Sequence, residues 1–148
     1  MRLFLAVDLD DSQRVALGAA ARSLGRALPG EDARAIKWVD VGNLHVTLHF
    51  LGEIPDSRVA ALESALAPPL VAPGFDLGLG RAGVFPPRGA PRVVWVGITP
   101  GAAPLQTIHA EMAARLVAAG VSVDDRPFQA HVTIGRVKQP MRDDLRGA

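Results

Sequence analysis

His45-Val46-Thr47-Leu48 and His131-Val132-Thr133-Ile134 are two copies of one pattern, 86 residues apart: histidine, aliphatic, threonine, aliphatic. Along a β-strand successive side chains point to opposite faces. Each copy therefore reads as a strand that buries an aliphatic pair and presents an imidazole and a hydroxyl together on the other face. One His-x-Thr alone is close to noise. Two copies with matching aliphatic partners, in a chain of only four histidines, are a signal. Set facing each other, two such strands form a pocket with two imidazoles and two hydroxyls. Histidine, with an ordinary pKa of about 6.5, can give or take a proton near neutral pH, and threonine can hydrogen-bond a phosphate oxygen. The equipment suits acid–base chemistry on a phosphate.

Outward from the motifs, the chain punctuates clearly. Residues 2–8 read as a buried opening strand. Asp10, Asp11 and Ser12 offer caps for a helix from Ser12 to Leu28, with Val15 and Ala19 at helical spacing, ended by Pro29-Gly30. Ile36–Val39 reads as a short strand, Val41-Gly42-Asn43 as a turn, and Leu44–Leu51 as the first motif strand. A second helix runs from Pro55-Asp56-Ser57 to about Leu66. Pro68-Pro69 and Pro73 mark a connector. Phe75–Leu79 alternates as an antiparallel strand should, and Gly83–Pro91 reads as a loop. Val93–Ile98 is a strongly β-prone strand, and a third helix spans about Pro104 to Ala119, stopped by Gly120. The second motif strand covers 131–137. Residues 139–148 are expected to be a frayed polar tail. Strands come in adjacent pairs, which predicts an α+β fold with antiparallel pairing and two similar halves.

Composition sets limits. A chain of 148 residues suits one domain or two small lobes with a shared core. The net charge is 16 − 15 = +1, which implies no large polyanion-binding surface, so a nucleic-acid partner would be held locally, at an end. Fourteen of the sixteen basic residues are arginine, a bias that also fits a GC-rich genome. With no cysteine there are no disulfides or thiolate metal sites, which suits a reducing cytoplasm. No apolar run approaches the ~20 residues of a membrane span, and the N-terminus does not read as a signal peptide. No cofactor and no metal is expected. His45 and His49 stand about 13 Å apart along a strand and cannot share an ion.

The chain resembles the two-histidine (2H) phosphoesterase superfamily, and more closely the bacterial RNA 2′,3′-cyclic phosphodiesterases, also called 2′-5′ RNA ligase-like proteins. The resemblance runs nearly end to end. It rests on Arg2-Leu3-Phe4-Leu5-Ala6-Val7, Trp38-Val39, Asn43 to Glu53, Gly83-Val84-Phe85-Pro86, Arg92 to Gly97, and Arg126-Pro127-Phe128 ahead of His131 to Arg136. It implies a single bilobal domain over residues 1–148, with two antiparallel sheets, outer helices, a central cleft and pseudo-twofold symmetry. It implies metal-independent opening of an RNA or nucleotide 2′,3′-cyclic phosphate to a 2′-phosphate. His45 and His131 become the acid–base pair, and Thr47, Thr133 and Arg136 bind the phosphate. Ala130 departs from the proline that often precedes the second motif, which touches only how rigidly the strand begins.

The remaining residues are placed by parity. His49 matches His45 and Thr47 and is expected as a secondary contact on the cleft wall. Arg136 would point away from His131 in a regular strand, unless Gly135 permits a bulge. His109 reads as structural or surface, and Trp38, Trp95, Phe50 and Phe85 as core. Arg88 and Arg92 flank the proline-rich loop. His45 is expected to protonate the leaving 3′ oxygen while His131 activates water, although the symmetric motifs also allow the reverse. The same site could serve 2′-5′ ligation or hydrolysis, and a binding module for RNA ends is the reading from another class. A cytoplasmic monomer acting on RNA 3′ ends is expected.

Overall fold

The computed structural model describes residues 1–70 and 74–138. The expected tail at 139–148 and Pro73 of the expected connector lie outside the described residues. The elements are β1 (Arg2–Asp8), α1 (Asp11–Ala27), α2 (Gly30–Arg34), β2 (Ile36–Trp38), β3 (His45–Glu53), α3 (Asp56–Leu66), β4 (Leu79–Phe85), β5 (Val93–Ile98), α4 (Ala102–Ala118) and β6 (His131–Val137), with a 3₁₀ turn at Val41–Asn43 before β3.

Every strand pairing is antiparallel. The strands form one six-stranded sheet in the order β1-β3-β6-β5-β4, with β2 beside the C-terminal end of β6. Its two halves, β1-β3 and β6-β5-β4, are joined at a single registered pair, Val46 against Val132, where the expected two sheets run together as one. Both valines are 0% exposed. The aliphatic halves of the two motifs are thus the seam of the molecule.

The pseudo-twofold relation is visible in the elements. Each half runs strand, 17-residue helix, motif strand: β1-α1-β3 and β5-α4-β6. In each half the motif strand pairs with the strand that opened the unit. One face of the sheet is closed by these helices. Leu17 of α1 and Leu105, Ile108 and Met112 of α4 join Val46, Leu48, Val94, Val96, Val132 and Ile134 in one buried cluster. A second cluster, with Ile54, Leu62, Leu116 and Val121, fixes α3 against α4.

Local chemistry accounts for the boundaries. Asp10 caps α1: its carboxylate accepts from the Gln13 backbone N–H at 2.8 Å, while Gln13 Oε1 accepts from the Asp10 N–H at 3.0 Å. The core-facing side of α1 carries Leu17, Ala21 and Leu24, and Val15 is exposed. The short helix α2 follows where Pro29-Gly30 reads as a stop, because the Pro29 carbonyl accepts from Ala33 and begins a new turn.

The expected strand at Phe75–Leu79 is displaced. The strand is Leu79–Phe85, and it takes in the start of the expected Gly-rich loop. The Leu77 carbonyl accepts from the Gln13 amide at 2.8 Å rather than from a neighbouring strand. Gly83 belongs in β4 because Trp95 lies across it: a Cβ there would sit 2.4 Å from the ring carbon Cζ2. Turn-prone glycine is here a packing requirement.

Candidate active site

The seam register places the motif side chains. In antiparallel pairing, residues one step either side of the Val46–Val132 pair oppose each other, His45 with Thr133 and Thr47 with His131. All four therefore share the sheet face away from the helices, and each is half-buried. The structure brings together the four side chains that the sequence singled out.

The two imidazoles are held alike. The ring Nδ1–H of His45 donates to the Asn43 carbonyl at 2.7 Å, and that of His131 donates to the Gln129 carbonyl at 2.6 Å. A carbonyl only accepts, so Nδ1 carries the proton in both rings and Nε2 is left to the open face. Because Nδ1–H is present in both the neutral and the protonated ring, neither anchor breaks when Nε2 gains or loses a proton. Phe4 stacks on His45 with centroids 4.9 Å apart, and Phe85 and Trp95 meet His131 edge-on at 5.3 and 6.3 Å.

Beyond the threonines both strands bulge at the same place. In β3, Thr47 pairs with Ala6 and His49 with Leu5, so Leu48 is extra; in β6, Thr133 pairs with Trp95 and Gly135 with Val94, so Ile134 is extra. An extra residue reverses the parity of every later position in the strand. The burial sequence is identical over seven residues: two consecutive positions are buried, then one is exposed. Leu48 and His49, like Ile134 and Gly135, face the helices. Phe50 and Arg136 then return to the motif face.

The bulge corrects the expectation for His49 and supplies the re-aiming on which the expectation for Arg136 depended. His49 is 5% exposed and lies on the helix side, away from the cleft face. Its Nε2–H donates to the His109 carbonyl at 2.9 Å, and its ring stacks on His109 at 4.1 Å. Arg136 stands on the motif face, and no described residue pairs with its guanidinium. Its register partner Lys37 on β2 shares that face and is also exposed.

The aromatic expectations divide. Trp38 packs on the core and covers Gly135. Phe85 and Trp95, stacked on each other at 5.1 Å, stand on the motif face against His131. Phe50 is 75% exposed and Phe4 52% exposed, side by side with ring centroids 6.4 Å apart. Phe4 and Lys37 carried no signal as site residues, because their place depends on cross-strand register. Arg88 and Arg92 are exposed. Among the described residues no group of three His, Cys, Asp or Glu side chains could hold a metal ion. An apolar cavity lined by Ile54, Leu62, Ala65 and Val121 lies beside α3, and the motif histidines are not among its walls.

Comparison with known proteins identifies the family. The LigT like phosphoesterase profile matches residues 7–95, more than half of the chain. The chain belongs to the LigT-like phosphoesterases. That match includes the first motif and ends before the second. The RNA 2′,3′-cyclic phosphodiesterase of Archaeoglobus fulgidus is 36% identical over 139 residues, 94% of this chain and 74% of that protein, a span that includes both motifs. Among solved structures, TT0787 of Thermus thermophilus superposes with a TM-score of 0.76 at 33% identity, covering 97% of this chain and 78% of that one. Escherichia coli LigT complexed with 3′-AMP superposes at 0.74 with 28% identity, covering 97% and 76%. This LigT-like phosphoesterase therefore shares an α+β fold with enzymes of its family, and its two motifs lie within the shared part. No helix among its described residues is long and apolar enough to cross a membrane.

Proposed function

We propose that the chain hydrolyses the 2′,3′-cyclic phosphate at an RNA end, or on a nucleotide, to the 2′-phosphate, with His45 and His131 as the acid–base pair. The observation that carries this reading is the matched anchoring of the two imidazoles. Each Nδ1–H is tied to the carbonyl two residues before it, so two Nε2 atoms are offered on one face from opposite sides of the seam. The activity is the one named for the Archaeoglobus fulgidus relative.

The chemistry follows from that arrangement. His131 Nε2 takes a proton from water as the water oxygen attacks phosphorus. The bond from phosphorus to the 3′ oxygen breaks, and protonated His45 gives its Nε2 proton to that oxygen. The products are a 2′-phosphate and a 3′-hydroxyl, and solvent exchange restores the two protonation states. Thr47 and Thr133 hydroxyls donate to the non-bridging oxygens, and the Arg136 guanidinium offsets their charge. Each positioned acid or base typically contributes ~10²–10⁴-fold. One ring must be protonated and the other neutral, so turnover rises and then falls with pH. The substrate's base has Phe4, stacked on His45, and Phe50 beside Phe4 to rest on. The cysteine-free composition supports a cytoplasmic enzyme, and we assign it as a monomer acting on RNA 3′ ends.

The test is turnover of a short RNA with a 2′,3′-cyclic phosphate end, chelator present, by the wild type, His45→Ala and His131→Ala. A 2′-phosphate product lost in both variants is expected. Turnover retained by either variant would sink the acid–base assignment. An inactive wild type would redirect the search to 2′-5′ linkages.

A further inference from the structure

Three rings that the proposed chemistry does not use lie in one stack. His49 comes two residues after the first motif threonine. His109 sits in the middle of α4. Phe128 precedes His131 by three residues. The His49 and His109 rings are 4.1 Å apart at 21°, and the His109 and Phe128 rings 4.4 Å apart at 16°. The His49 Nε2–H bond to the His109 carbonyl closes the near end. The stack thus begins on the strand of one motif and ends on the segment that leads into the other. The equivalent of His49 in the second half is Gly135, where Ile36 and Trp38 fill the space. The device is therefore one-sided.

The far end of the stack adjoins an anchor of the active site. The residue after Phe128 is Gln129, whose carbonyl accepts the His131 Nδ1–H bond. On the other side of the seam, His45 takes its anchor from Asn43, which has no link to these rings. Burial, and secondarily the charge of His49, push the His109 pKa below its ordinary value.

We propose that the His49–His109–Phe128 stack is a positioning device for His131: it fixes Phe128, and through it the Gln129 carbonyl that holds the His131 ring with Nε2 free. This rests on the acid–base role proposed for His131. His109 and Phe128 touch no reacting atom in it; they are positioning residues. Loss of the stack lets the Gln129 carbonyl wander, and His131 then divides between its two neutral tautomers.

The tautomers can be read directly, without substrate, from long-range ¹⁵N–¹H correlations of the histidine rings at neutral pH. The wild type is expected to show both His45 and His131 with the proton on Nδ1. Phe128→Ala should move a measurable fraction of His131 to the Nε2–H form and leave His45 as it was. His109→Phe, which keeps a ring in the stack, should match the wild type at both positions, and His109→Ala should behave like Phe128→Ala. In turnover, kcat should fall about tenfold in the alanine variants with KM within about twofold, well inside the ~10²-fold that a 1 Å misplacement can cost. An unchanged His131 tautomer in folded Phe128→Ala would overturn the proposal. So would equal movement of His45 and His131, which marks general loosening. If Phe128→Ala fails to fold, Phe128→Leu and His109→Ala carry the same comparison. Should His131→Ala prove active, the catalytic assignment fails on its own, because the tautomer result does not depend on turnover.

Discussion

Phe50 and Arg136 occupy equivalent positions in the two halves of the sheet. Each is the third residue after a motif threonine, and each is turned onto the motif face by a one-residue bulge. The site built on matched histidines and threonines is thereby made polar in one direction, with an apolar ring at one end and a cation at the other. A nucleotide has the same polarity, base at one end and phosphate at the other.

That relationship separates the effects of two substitutions. Arg136→Ala should lower kcat/KM by about 10–100-fold, in line with a charge-assisted hydrogen bond worth about 1.5–3 kcal/mol. Phe50→Ala should raise KM about tenfold with kcat within about twofold, since base stacking is worth about 1–3 kcal/mol and is present before and after reaction. Steady-state kinetics on a cyclic-phosphate RNA decides between them. A Phe50→Ala effect confined to kcat would contradict the assignment of the ring to the base.

Lys37 stands beside Arg136 in register, both exposed. Like charges directly opposite on a sheet are unfavourable unless a counterion or ligand offsets them. Lys37→Ala is therefore expected to weaken turnover of an oligonucleotide, whose next phosphate it can reach, and to spare a mononucleoside 2′,3′-cyclic phosphate. The slope of log(kcat/KM) against log[salt] for the oligonucleotide should become shallower by about 0.7, the value for one single-strand phosphate contact. Equal loss on both substrates would place Lys37 at the reacting phosphate instead.

Gly135 has no room for a side chain. A Cβ there would lie 2.7 Å from Ile36 Cγ2 and 3.1 Å from Trp38 Cε3. Gly135→Ala should destabilise the fold by about 1–3 kcal/mol, the usual cost of overpacking. Because this residue follows directly on the bulge that turns Arg136, activity should fall further than the folded fraction does. Thermal unfolding and turnover measured on one preparation test both parts. A variant of unchanged melting temperature would show that β2 can yield.

Asp124 gives a pH prediction of known sign. Hydrogen bonds from the Arg126 side chain and then its backbone N–H lower the Asp124 pKa from 3.8 to about 2. Its folded value is depressed, so its contribution to stability is present above the unfolded value and is lost as pH falls through about 2. In ¹³C NMR the Asp124 carboxyl should titrate near 2, and in Arg126→Ala it should move back toward 3.8. Titration near the ordinary value in the wild type would mean that the pair does not persist in solution.

Much of this architecture was legible in the chain itself. The paired motifs, the helix periodicities and the aliphatic residues of the seam follow from local patterning. Alternation along a strand alone put His45 with Thr47, His131 with Thr133, and Val46 and Val132 on the buried side. It placed His49 on the wrong face and left the face of Arg136 to depend on a bulge, because a bulge is a relation between two strands. Leu48 and Ile134 are extra only with respect to Ala6-Leu5 and Trp95-Val94 across the ladder. The same holds for Phe4 and Lys37, which reach the site through the strands they pair with, and for Gly83, where a neighbour's indole and not a turn demands glycine. Local patterning settles which side chains could do chemistry and which strands carry them. Tertiary pairing decided which face each of them meets beyond the motif, because one inserted residue inverts a period of two.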